Sequence, residues 1–197
     1  SGNLATHLSL ALQGSGMPIA QVYSRTETHA RELAEKLGCP HTANVDDVIT
    51  DADVYMMSVN DDAISGLAVR LCKARSQGVF IHTAGSVPMD VFRPYGVRHG
   101  VLYPMQTFSK TRPVDFRTIP CFIEASDEAT LELIRRMASS VSDNVILADS
   151  QKRRKLHLAA VLACNLSNHC YRLAERVLEE EQIDFGLFLP LIQETAR

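Results

Sequence analysis

The sequence predicts an α/β fold, a doubly wound parallel sheet followed by an all-helical C-terminal domain, and three observations carry that expectation. Up to about residue 149, short apolar runs of strand length alternate with helical stripes. That alternation builds a parallel sheet covered by helices on both faces. The opening stretch Gly2-Asn3-Leu4-Ala5 has the shape of the last four positions of a G-x-G-x-x-G/A phosphate turn, in which the final small residue lets a helix pack closely on the sheet. From Ser150 the rhythm changes. Residues 151–180 contain neither Gly nor Pro and are apolar nearly all round between Leu156 and Leu166, so they read as a long buried helix opening a second domain. The expected division is residues 1–149 and residues 150–197. The first glycine of the turn and the strand before it are not among these residues, and Arg197 falls inside a helical pattern, so both ends read as cut.

Taken in order, Leu4, Leu8, Ala11 and Leu12 form one helical stripe that Gly14 and Gly16 stop. Ile19–Tyr23 reads as a strand. Ala30, Leu33, Ala34 and Leu37 repeat the stripe, with Gly38 as a left-handed cap. A connection through 44–49 leads to the apolar strand Asp53–Val59. Asn60-Asp61-Asp62 then starts a helix whose stripe is Ile64, Leu67, Ala68, Leu71 and Cys72. Val79–His82, Val101–Tyr103 and Ile119–Glu124 read as further strands, and Pro120, which lacks an N–H, predicts an edge position for the last of these. Ser126-Asp127 starts a helix with Leu133, Ile134, Met137 and Val141 on one face, Asn144–Leu147 reads as a final edge strand, and Phe185–Arg197 begins another helix.

A chain that crosses a diphosphate at a helix N-terminus, where unpaired N–H groups and the helix dipole attract anions, returns as a second strand over the adenosine ribose. An acidic residue at the end of that strand would hold the ribose hydroxyls of NAD. This chain has Ser24, Arg25 and Thr26 there. Two hydroxyls and a guanidinium suit a 2′-phosphate, because Arg makes bidentate charge-assisted bonds to it, and the expected cofactor is NADP. Its expected contacts are Gly2, Asn3, Leu4 and Ala5 at the diphosphate and Ser24, Arg25 and Thr26 at the 2′-phosphate. Ser58, Val59, Asn60, Thr83 and Gly85 lie in the two strand-end loops where the nicotinamide belongs. Asn60-Asp61 also suits a plain helix cap, and Gly85-Ser86 a plain turn.

The 197 residues carry a net charge of −3 with both signs interspersed. No broad basic face invites nucleic acid, and no polybasic amphipathic stretch or long apolar run invites a membrane. A small-molecule substrate is the expected partner. The five cysteines include no C-x-x-C pair and no His set at metal spacing, which points to buried reduced thiols in a cytoplasmic protein without a metal.

The catalytic residue is not identified by the sequence, and the candidates are Tyr103, His157 and Asn165. Tyr103 follows a strand and offers a phenol, or is a packed residue with its hydroxyl at the rim. His157, Cys164 and Asn168 lie near one line of the long helix, with Asn165 beside it. Polar groups in an apolar helix face a substrate or find partners across an interface. Lys152-Arg153-Arg154-Lys155 reads as a solvated turn, or as a grip on an anion. No Tyr-x-x-x-Lys pair, P-loop, H-E-x-x-H or G-x-S-x-G occurs.

The series Gly2-Asn3-Leu4-Ala5, Tyr23-Ser24-Arg25-Thr26, Ser58-Val59-Asn60-Asp61, His82-Thr83-Ala84-Gly85-Ser86-Val87-Pro88, Tyr103-Pro104-Met105-Gln106-Thr107 and Asn165-Leu166-Ser167-Asn168-His169 resembles the Rossmann-like proteins with a DUF2520 C-terminal domain, which are related to pyrroline-5-carboxylate reductase. The resemblance covers essentially the whole chain. It implies a Rossmann-type NADP-binding domain and a helical domain that mediates dimerisation in the wider superfamily. The Lys and Asn that related hydroxyacid dehydrogenases place four residues apart have no counterpart, since Ala159 follows Lys155 at that spacing and Val161 precedes Asn165. The expected activity is an NADP-dependent hydride transfer to or from a small polar imine or carbonyl compound. The alternative is a non-catalytic NADP-binding sensor or regulatory protein. The apolar segment from Ser150 onward predicts a homodimer through the helical domain.

Overall fold

The computed structural model describes residues 2–75, 77–109 and 112–196. Helix α1 (Asn3–Gly14) leads to strand β1 (Val22–Tyr23), helix α2 (Glu27–Leu37) and strand β2 (His41–Thr42). Strand β3 (Val54–Met57), helix α3 (Asp61–Ala74), strand β4 (Val79–His82) and a 3₁₀ segment (Met89–Tyr95) follow. Next come β5 (Arg98–Pro104), β6 (Cys121–Ala125), α4 (Glu128–Val141) and β7 (Val145–Leu147). The last part holds α5 (Ser150–Ala160), a π-helical segment (Val161–Leu166), α6 (Ser167–Glu179), a 3₁₀ turn (Phe185–Phe188) and α7 (Leu189–Thr195). The chain forms two compact units, residues 1–155 and residues 156–197, and the division falls within α5.

Alternation along the central strands sorts the first unit into two packed faces. Val79 and Ile81 of β4 join Leu8 and Leu12 of α1 and Ile134, Ala138 and Val141 of α4 in one core. Phe80 turns the other way, to Tyr55, Phe92, and Ile64 and Ala68 of α3. Each fully buried Leu or Ile among them contributes about 1.5–3 kcal/mol of transfer free energy. The stripe of α2 is buried as expected, and Gly38 ends that helix at φ 64°, a left-handed conformation that costs glycine little. Helix α4 starts at Asp127, whose carboxylate accepts the Thr130 N–H at 2.8 Å and is held below the usual carboxylate range chiefly by its bonds to Thr130.

The ladder is mostly parallel, as expected of a doubly wound sheet. It forms a two-stranded sheet, β1-β2, and a five-stranded sheet in the order β3-β4-β5-β6-β7. All pairs are parallel except β5 with β6. The strand expected over Ile19–Tyr23 is paired only at Val22–Tyr23. Pro120 does not mark an edge, because β6 lies between β5 and β7. The proline sits one residue before the strand, where its carbonyl accepts the Met105 N–H at 2.9 Å, and its missing N–H interrupts no ladder.

Two further expectations are corrected. The helical segment after Ser150 is not buried within the chain, since Leu158, Leu162 and Leu166 are 58%, 54% and 49% exposed. The thiols are not all buried either: Cys72 and Cys121 are, Cys39 is half-buried, and Cys164 and Cys170 are exposed, all five being free. Burial pushes Cys72 up to about 12 and Cys121 up to about 11, so these two remain protonated and unreactive.

Candidate active site at the strand ends

The parallel strands β3, β4 and β5 place the residues that follow their carboxyl ends at one end of the five-stranded sheet, where open α/β sheets bind ligands. The N-terminus of α1 lies at this end too. Asn3 Nδ2 donates to the Phe108 carbonyl at 2.9 Å and His7 Nε2 lies 2.8 Å from the Ser109 carbonyl, both in the loop after β5. Gly2 caps α1 without a side-chain bond, and no acidic residue occupies the first turn. The N–H groups of Asn3, Leu4 and Ala5 have no partner within the helix, and they point where an anion is favoured. A Cβ built on Gly2 would meet no atom within 4 Å, so the space over this backbone is open.

At the end of β1, Ser24 is half-buried while Arg25 and Thr26 are exposed. Thr26 occupies the N-cap position of α2 without a side-chain capping bond. Asn60 likewise sits at the N-cap of α3 and makes no capping bond, so its amide is not used as the plain helix cap that its position suggests. Val59 beside it is 39% exposed.

The loops after β3 and β4 are joined by side chains. Thr83 Oγ1 donates to Ser58 Oγ at 3.2 Å, and Ser86 Oγ bonds the Asp61 carboxylate at the start of α3. Gly85 is buried. His82, fully buried, accepts the Ala84 N–H on Nδ1 at 3.2 Å. The ring proton therefore lies on Nε2, an atom without a hydrogen-bond partner among the described residues. Burial, followed by the Arg153 charge, pushes this imidazole down to about 3. It is neutral at physiological pH, with Nδ1 holding the Ala84 N–H of the loop.

Tyr103 is 8% exposed and its ring centroid lies 6.3 Å from that of Phe122. Burial, and then the charge of Asp61, raise its phenol above the ordinary value. The phenol keeps its proton beside the strand-end loops, which a proton donor requires. His157, half-buried, and Asn165, exposed, belong to the second compact unit, so the strand-end cluster of the first unit contains neither. Asn165 stands in the π-helical segment, a local widening frequent at functional positions that residue periodicity does not reveal.

Sequence reasoning missed His82 and Glu124 as members of this site, whereas Asp61 lies in one of the two expected strand-end loops and Arg153 in the basic run for which a grip on an anion was the alternative. The reading of Lys152-Arg153-Arg154-Lys155 as a solvated turn fails at Arg153, which is fully buried and paired with Glu124, while the other three are exposed. The signal that could have found it is the acidic residue at the end of β6, a poor strand residue unless paired.

Residues 119–197 match the family model described as a domain of unknown function, DUF2520. No curated protein sequence matches the chain. Among solved structures, a Bacteroides fragilis protein provisionally named as an NADP oxidoreductase is 46% identical, with a TM-score of 0.93 over 100% of this chain and 76% of that one. A pyrroline-5-carboxylate reductase from Coxiella burnetii (18% identity, TM-score 0.69, 98% and 73% covered) shares the fold. An imine reductase from Myxococcus stipitatus in complex with NADP+ (18% identity, TM-score 0.69, 98% and 71% covered) shares it as well. With 46% identity across its full length and the DUF2520 match at its C-terminal side, the chain belongs to the family of Rossmann-like proteins carrying the DUF2520 domain, together with the Bacteroides fragilis protein.

Proposed function

We propose that the protein is an NADP-dependent oxidoreductase that transfers a hydride to or from a small polar imine or carbonyl substrate. The observation that carries the proposal is the pairing of an uncapped α1 N-terminus with Ser24-Arg25-Thr26 at the end of β1. Together they suit a diphosphate and a 2′-phosphate one βαβ unit apart. The names of the Bacteroides fragilis protein and of the Myxococcus stipitatus imine reductase with its NADP+ support the same cofactor. The fit extends to the nicotinamide end, where Ser58, Asn60, Thr83 and Gly85 would receive the ring. The bound cofactor supplies the hydride, and the protein's part is to orient the ring and supply a proton. Tyr103 is the group of the first unit best placed to hold that proton.

A second reading is a non-catalytic NADP-binding sensor. It is favoured by one observation: the imidazole at the strand-end loops, His82, is buried and neutral, so no acid/base pair is evident among the described residues. Incubation of the full-length protein with NADPH and a panel of carbonyl and imine compounds separates the readings. Steady NADPH consumption with any member is the expected result, and none with every member would leave the sensor.

No described helix is long and apolar enough to cross a membrane, and five free thiols accord with a reducing, cytoplasmic setting. We further propose a homodimer formed through the helical region. Leu158, Leu162, Leu166, Leu173 and Val177 recur at helical intervals and are 46–67% exposed, and an apolar stripe of that length needs covering. Light scattering of the full-length protein is expected to give twice the monomer mass. A monomer at micromolar concentration would contradict this and place the cover in the protein's own chain.

A further inference from the structure

The start of α5 is bound to the sheet with unusual thoroughness. Glu124 pairs in register with Val101, and Val101 with His82, so the three side chains share a row and a face of the sheet. The Glu124 carboxylate accepts the Ser150 N–H at 2.9 Å, the Ser150 hydroxyl at 2.8 Å and the Arg153 guanidinium. The guanidinium also donates to the Val87 carbonyl at 2.6 Å, and Ser150 Oγ accepts the Met89 N–H at 2.9 Å. Val87 and Met89 lie just beyond the Thr83–Ser86 loop, which is itself bonded to Ser58 and Asp61. Two sets of polar contacts, one joining the loops after β3 and β4 and one holding Val87 and Met89 to Glu124 and the start of α5, are thus connected through the backbone between Ser86 and Val87.

Stability alone does not explain such a device. Burying a guanidinium and a carboxylate carries a desolvation cost that their attraction often only offsets, and apolar side chains would hold a helix to a sheet as well. What the ion pair adds is a fixed geometry, because planar guanidinium donors aimed at a carboxylate and a carbonyl define an orientation that apolar packing does not. We propose that Arg153 is a positioning residue for the cofactor: by holding the Val87 carbonyl and Glu124 together, it sets the Thr83–Ser86 loop in the form that receives the nicotinamide half and ties that loop to α5. The proposal rests on reading that loop as the nicotinamide side of an NADP site.

The test compares two ligands on the full-length protein by calorimetry: NADPH, and adenosine 2′,5′-bisphosphate, which carries only the adenosine end. In Arg153→Lys, adenosine 2′,5′-bisphosphate should bind as in the wild type, and NADPH affinity should fall about tenfold, the equivalent of ~1.4 kcal/mol. Ser150→Ala, which leaves the ion pair in place, should show the same split to a smaller degree, and it decides the matter if Arg153→Lys does not fold. Unchanged NADPH affinity, or equal losses for both ligands, would overturn the proposal by showing no positioning or only a general loosening. A wild type that binds neither ligand would overturn the NADP reading itself, an outcome distinct from a wild type that binds both and a variant that does not differ from it.

Discussion

Gly2→Ala should leave the protein folded, with a melting temperature lowered by no more than about 2–4 °C because alanine is a poorer N-cap than glycine, and weaken NADPH binding by at least about tenfold, a loss of ~1.4 kcal/mol or more. The backbone at Gly2, φ −82° and ψ 177°, is one that alanine adopts readily. A Cβ there would meet no protein atom within 4 Å, so neither strain nor crowding penalises the fold. Only a ligand would meet the added methyl, and the middle glycine of a phosphate turn is the one that lets the backbone approach the pyrophosphate. Thermal unfolding and calorimetric titration on the same variant check both halves. Full retention of NADPH affinity would mean that the diphosphate does not lie over this turn.

The largest stability effect is expected at the opposite kind of glycine. A Cβ on Gly100, in the middle of β5, would sit 2.3 Å from the Glu124 carbonyl oxygen and 2.5 Å from Cδ1 of the fully buried Ile134. A side-chain end could turn aside, but the carbonyl belongs to the paired strand β6 and moves only if the antiparallel ladder moves. Gly100→Ala should therefore destabilise the protein by about 1–3 kcal/mol or more, as overpacking does. For a chain of this size each kcal/mol corresponds to roughly 2–4 °C in Tm. Calorimetric unfolding measures it, and a Tm within a degree or so of the wild type would show that β5 and β6 separate more easily than their register implies. Shortening Ile134 in the same variant should recover only part of the loss, because the backbone contact remains.

The contrast between the two glycines shows what was legible in the sequence. Period and punctuation are local, so the stripes of α2, α3 and α4, the Gly38 cap and the strand Val79–His82 could be read directly, and the strand-end rule then located the loops around Ser58 and Thr83. The antiparallel pairing of β5 with β6, the two-residue strand β2 and the crowding at Gly100 depend on contacts between distant segments, which no local pattern encodes. Pro120 misled because a proline one residue before a strand and a proline on an edge strand look alike. Arg153 misled for a related reason. A run of four basic residues ordinarily faces water, and only the carboxylate of Glu124, 29 positions earlier, explains why one of them turns inward. His82 could be placed at a strand end, but its burial, its tautomer and its neutrality depend on Phe92, Ala84 and Arg153 around it.

Recognition of a 2′-phosphate by Ser24-Arg25-Thr26 is tested by calorimetric titration of the full-length protein and its Arg25→Ala variant with NADPH and NADH. The wild type should bind NADPH at least about tenfold more tightly than NADH, in line with the ~1.5–3 kcal/mol of a hydrogen bond to a charged group. In Arg25→Ala, NADPH affinity should fall toward that of NADH while NADH affinity stays where it was. Equal affinities in the wild type, or a preference that survives the loss of Arg25, would contradict that recognition.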